Sequence, residues 1–170
     1  LVQRFFAQYL GLGNLKVADP DGQRFPLWND RLREAMGRET ELFCQELVRE
    51  DRSLRELLNA DFTYVNPRMA ELYGIDFDGR SPKDLYREGP GIHRDQGKDR
   101  SEDRSGRYRD EDRWLRVALP AGRQGVLTQP AVLTLTSNPT STSPVKRGKW
   151  ILESLLGDPP PPAPPNVPAL

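Results

Sequence analysis

The chain has 170 residues, with 25 basic and 25 acidic side chains in balance and 36% hydrophobic content. That charge balance argues against a whole-chain polyanion binder, and the length suits one domain or a domain with appendages. One cysteine, Cys44, excludes a disulfide framework and a Cys-rich zinc site; one histidine, His93, excludes a multi-His metal site. There is no run of 18 apolar residues of the kind that spans a bilayer. The chain has neither an initiator Met nor a signal-peptide pattern, so it reads as a piece of something longer.

The first segment places Val2, Phe5, Phe6, Tyr9 and Leu10 at helical spacing, on one predicted face. Gly11 and Gly13 end that helix, and Asp19-Pro20-Asp21-Gly22 reads as a turn. The strongest helix follows, from about Asp30 to Asp51. Leu32, Met36, Phe43 and Leu47 form its apolar stripe, and Asn29 or Asp30 is its N-cap. Cys44 sits beside Phe43 and reads as a small core hydrophobe rather than a reactive thiolate. The acidic pairs Glu39/Glu41 and Glu46/Glu50 could suggest general acid and base, but their helical context assigns them to a solvated face.

Ser53-Leu54-Arg55-Glu56 fits a capping box opening a second helix, with Leu54, Leu57 and Leu58 as its stripe. Asp61 to Val65 is aromatic and β-branched, and reads as extended. Asn66-Pro67 starts a third helix, with Met69, Ala70, Leu72 and Tyr73 inward and Gly74 as its C′ residue.

Residues 76–113 change character, with ten basic and eleven acidic residues and few apolar ones. Such a stretch cannot bury enough to offset its ordering entropy, so it is expected to be an exposed, disordered insertion. Its arginines could suggest RNA, but acids interleave with them and counterion release would be weak. No nucleic-acid partner is expected. His93 lies inside the insertion, without the fixed geometry that a catalytic base needs.

Leu115 to Leu119 alternates as a short strand or extended lead-in, and residues 126–136 lean towards a short helix beginning near Pro130. Thr142 or Ser143 then caps a helix with Pro144 at its first position, running to Leu156 and stopping at Gly157. Val145, Gly148, Leu152, Leu155 and Leu156 lie along one side of it, and Gly148 would admit a close backbone. From Asp158 the proline run is expected to form a semi-rigid polyproline spacer.

The expected fold is mainly α: a helical module at 1–75, the insertion at 76–113, a helical start of the next module at 114–157 and a polyproline linker at 158–170. No GxSxG, Walker A or GxGxxG pattern occurs, and no catalytic constellation is visible. The densest polar cluster surrounds Thr142, Ser143, Lys146 and Arg147. A capped helix start with two cations in its first turn is a candidate anion site. The simpler reading is a hydroxyl-rich loop that satisfies its own backbone.

Several blocks carry a family resemblance. They are Glu39-Thr40-Glu41-Leu42-Phe43, Leu47 to Leu54, Asp61 to Asn66, Gly125 to Gln129, Leu133 to Thr140, and Thr142-Ser143-Pro144-Val145-Lys146-Arg147-Gly148-Lys149-Trp150 with the proline tail. Together they resemble the planctomycete multidomain, cytochrome-c-associated proteins built of domains of unknown function. Residues 1–75 resemble the end of one module, and residues 114–170 the start of a planctomycete cytochrome C module. The resemblance implies a Cys-x-x-Cys-His haem site downstream of the proline spacer, so c-type haem is expected beyond this chain and no cofactor within it. It implies an extracytoplasmic setting, periplasmic or extracellular, with other domains of the same chain as partners, a haem domain among them. On this reading the fragment is a non-catalytic scaffold beside a haem domain in electron transfer. The alternatives are an enzyme module that binds an anionic substrate at Ser143–Lys149, or a binding module acting through the charged insertion.

Overall fold

A computed structural model describes residues 1–79, 81 and 113–161. Most of the charged insertion, His93 and the chain from residue 162 lie outside the described residues. The elements are α1 (Val2–Tyr9), a 3-10 helix (Leu12–Val17), α2 (Asp30–Arg49), α3 (Glu56–Asn59), β1 (Phe62–Val65), α4 (Pro67–Tyr73), β2 (Leu115–Ala118), a second 3-10 helix (Val126–Thr128), α5 (Pro130–Leu135) and α6 (Pro144–Trp150). A π-helical stretch, Ile151–Leu156, continues α6. The fold is mainly helical, with one small sheet of two strands among the described residues.

The central element is α2. Asn29 caps it, accepting from the Leu32 amide at 2.9 Å. Its buried side is Leu32, Ala35, Met36, Glu39, Thr40, Phe43, Cys44 and Leu47, an unbroken i, i+3, i+4 stripe. The helix ends in a Schellman pair: Asp51 N–H donates to Val48 O at 3.4 Å and Arg52 N–H to Leu47 O at 2.9 Å. Asp51 supplies the left-handed residue, at φ 47°, where glycine is usual. In α4, Asn66 accepts from the Met69 amide at 3.0 Å, Pro67 opens the helix and Gly74 closes it at φ 68°.

The two strands are antiparallel, with Thr63 opposite Val117 and Tyr64 opposite Arg116. This ladder joins the chain before the insertion to the chain after it. The same core takes Phe6, Leu10, Phe43, Phe62 and Met69 from the first part and Val126, Ala131 and Val132 from the second. Helix α5 packs on both α2 and the first 3-10 helix. Asp21 N–H also reaches the Pro139 carbonyl at 2.9 Å, and the Arg24 guanidinium reaches Thr140 O at 2.8 Å.

Several local expectations are corrected. On α1, Phe6 is buried, but Phe5 is 57% exposed and stacks on Tyr9 instead of entering the core. The capping box at Ser53 does not form. The Ser53 hydroxyl accepts from Arg55 N–H, and the Glu56 carboxylate turns to Arg52 at 2.6 Å. Arginine offers that carboxylate a charged partner, which a backbone amide does not. Helix α3 is only four residues long, and Leu54 before it and Leu58 within it are exposed. Gly148 faces open space, and Val145 and Leu156 are exposed; Trp150 and Leu155 are the residues of that stretch that pack on the core.

Phe77 is buried in the core, which corrects the expectation that the exposed insertion begins at residue 76. Arg113 pairs with Asp78 through two contacts, at 2.5 and 3.3 Å, and so ties the two flanks together.

Candidate functional site

The residues expected to bind an anion occupy the loop before α6. Ser143 caps that helix, its hydroxyl accepting from the Lys146 amide at 3.3 Å. Thr142 bridges to Ser137, and the Asn138 amide donates to the Ser141 carbonyl at 2.8 Å. The Lys146 ammonium donates to the Ser137 carbonyl at 3.5 Å, and Arg147 Nε donates to the Thr136 hydroxyl at 3.3 Å. The two cations are thus turned onto oxygens of their own loop. The loop rests on α5, where Thr136 and Ser137 hydroxyls donate back to the Val132 and Leu133 carbonyls, each at 2.7 Å.

A different cluster lies at the join between the two parts of the chain. Glu39 is fully buried, which corrects its assignment to a solvated face. Its Oε1 accepts from the Thr63 hydroxyl and from the Tyr73 hydroxyl, each at 2.6 Å. Thr63 in turn accepts from the side-chain amide of buried Gln129 at 3.4 Å. Two buried oxygens in this cluster, Glu39 Oε2 and Gln129 Oε1, have no hydrogen-bond partner.

Burial raises the Glu39 carboxyl to about 8; the bonds from Thr63 and Tyr73 and the charge of Arg123 oppose that rise without cancelling it. At neutral pH Glu39 is therefore mostly a neutral acid. Because Oε1 already accepts two bonds, the proton belongs on Oε2. Burial, and then the neighbouring Glu39, push the Tyr73 phenol well above its ordinary value. Arg123 lies over the Tyr73 ring, 4.9 Å from its centroid, and donates to the Thr128 carbonyl at 3.3 Å.

The sequence carried a signal for this cluster. Glu39 follows Met36 by three positions and precedes Phe43 by four, so it falls on the apolar stripe. Thr63 and Tyr73 share no motif with it, and only the tertiary fold brings them together.

Glu46, also assigned to a polar face, is a second hub. Its side chain is 10% exposed. It accepts from Tyr64 at 2.6 Å, from Arg116 Nε at 3.1 Å and from Arg52 at 3.4 Å. The Arg52 and Arg116 guanidinium carbons lie 4.8 and 3.9 Å from the Phe62 ring centroid. Burial and the Glu46 contact push the Tyr64 phenol up to about 12.

Cys44 is fully buried, and burial first, then the nearby Glu41 charge, push its thiol up to about 12. No histidine follows it at the spacing that c-type haem attachment needs. The donor set of this chain therefore does not fit that cofactor. Among the described residues there is no group of three or more His, Cys, Asp or Glu placed to hold a metal ion. No helix among them is long and apolar enough to cross a membrane.

Residues 1–75 match the family described as PSD4, protein of unknown function (DUF1592), and residues 123–170 match PSCyt3, protein of unknown function (DUF1588). Both matches support the resemblance to planctomycete cytochrome-c-associated proteins of unknown function. No curated protein and no solved structure matches the chain.

Proposed function

We propose that this chain is a non-catalytic scaffold that holds and orients a neighbouring c-type haem domain of the same longer protein, in an extracytoplasmic electron-transfer setting. The observation that carries the reading is how the last helical stretch is anchored. The Trp150 indole N–H donates to the Leu10 carbonyl at 3.3 Å, and the Tyr9 hydroxyl donates to the Leu155 carbonyl at 3.2 Å. The stretch is thus fastened to α1 at both its middle and its end. Gly157, at φ 65°, then turns the chain out into Asp158-Pro159-Pro160-Pro161, all exposed. A fastened helix followed by prolines, which lack N–H donors and have restricted φ, suits a fixed exit better than a binding surface. The cytochrome-related name of the family matched at 123–170 supports a haem neighbour.

The experiment is to express the natural coding sequence past Leu170 with c-type haem maturation and to record its visible spectrum. A Cys-x-x-Cys-His within the next few dozen codons together with a haem Soret band is the expected result. A continuation without that motif, and without haem absorbance, would overturn the proposal.

A further inference from the structure

The two family matches stop at residue 75 and resume at residue 123, and β2 falls in neither. The core does not divide along that boundary. Strand β1 is buried at Phe62, Thr63 and Val65, and its ladder partner among the described residues is β2. Without β2, the β1 peptide groups that face it would lose their partners inside a buried strand, which costs about as much as a lost hydrogen bond for each group. The contact continues past the ladder. The Leu119 amide donates to the Asp61 carbonyl at 2.7 Å, and the Gly125 amide to the Ala60 carbonyl at 2.8 Å.

The second part lacks a core of its own. Its buried apolar residues among those described are Val126, Pro130, Ala131 and Val132. The large, fully buried side chains of the shared core, Leu10, Phe43, Phe62 and Met69, all come from the first part. Helix α5 has six residues, and α6 has seven before its π-helical continuation. Isolated helices shorter than about 12–15 residues are marginal in water, so α5 depends on what it packs against. That is α2 and the first 3-10 helix. Buried Gln129 likewise places its side-chain amide on Thr63 of β1, at 3.4 Å.

We propose that the two separately matched segments are complementary parts of one folding unit: the surface formed by α2, β1 and the first 3-10 helix is the docking partner of residues 113–136, and neither segment is a domain alone. Whether a haem domain follows has no bearing on this pairing. The gap between the two matches is where the charged stretch enters, not the edge of a fold. A copy of the second segment lifted out without the first would expose Val126, Ala131 and Val132 and leave β2 without its partner strand.

The test uses the full chain and one reporter on each side. Cys44 is the only cysteine and is fully buried on α2, so its labelling by a thiol reagent reports opening of the first part. The slowest-exchanging amides of α5 report opening of the second. Val132→Ala deletes two carbon atoms from a fully buried site in the second part, and should raise the α5 opening equilibrium about tenfold or more. In one folding unit the Cys44 opening rises by the same factor. Cys44 labelling that stays at the wild-type rate while α5 opens more often would overturn the proposal. Should Val132→Ala fail to fold, the wild type decides in a urea titration. A shared midpoint for Cys44 labelling and α5 exchange supports one unit, and α5 opening at lower urea while Cys44 stays protected overturns it.

Discussion

The Trp150 indole donates a hydrogen bond to the carbonyl of Leu10, a residue that comes 140 positions earlier and is fully buried. Trp150→Phe keeps an aromatic ring but removes the donor, leaving a buried carbonyl short of a partner. We expect a loss of about 1–3 kcal/mol in urea unfolding. An unchanged midpoint would show that α6 is not fastened there.

Among the described glycines, Gly125 is the one least open to substitution. Its φ is +54°, and a Cβ would stand 2.4 Å from the Leu58 carbonyl carbon and 2.6 Å from the Leu57 oxygen. The obstruction is main chain, which cannot swing aside. Gly125→Ala should cost about 3 kcal/mol or more, as strain and overpacking add. Thermal unfolding by circular dichroism measures it, and a shift of only a degree or two would contradict the close approach.

Asp51 offers the opposite case. It occupies a left-handed conformation that costs a side-chain-bearing residue about 1–2 kcal/mol relative to glycine. Part of that is lost again through the greater unfolded freedom of glycine. Asp51→Gly should therefore stabilise the protein by about 0.5–1 kcal/mol in chemical denaturation.

Thr63→Val and Tyr73→Phe each remove one donor to Glu39 Oε1. Both bonds favour the ionised carboxylate, so their loss should move the Glu39 titration above its present value of about 8. Carboxyl carbon shifts followed against pH give the midpoint. A downward move in either variant would contradict the arrangement.

Cys44 should resist a thiol reagent in the native state. Its burial and a thiol pushed up to about 12 leave almost no thiolate at neutral pH. Labelling should follow the population of unfolded chains as denaturant is added. Fast labelling without denaturant would place Cys44 nearer solvent than α2 allows.

The elements themselves were largely legible in the sequence. Asn29, Asn66-Pro67, Gly74, Ser143-Pro144 and Gly157 act where capping chemistry says they should. Glu39 reads as a surface residue when charge is weighed before helical register. Its place between Met36 and Phe43 was visible, but its partners Thr63 and Tyr73 lie 24 and 34 positions away. The Ser53 capping box failed for a related reason. A local motif competed with Arg52, whose charge and position between Glu46 and Glu56 only the folded α2 terminus reveals. The pairing of β1 with β2 across the insertion was likewise out of reach, since neither strand's composition names its partner.

Asp78 and Arg113 meet at 2.5 Å near the two ends of the charged stretch 76–113, each about half exposed. A pair that exposed adds little energy of its own, so its meaning is geometric. The fold closes the insertion at its base, so its length is not used as a ruler. For any flexible chain closed at such a base, doubling or halving its length changes the closure entropy by only about 0.6 kcal/mol. The position is therefore one where a lineage can lengthen, shorten or replace a segment almost without thermodynamic penalty. It is also a natural place to splice in a reporter or a second domain.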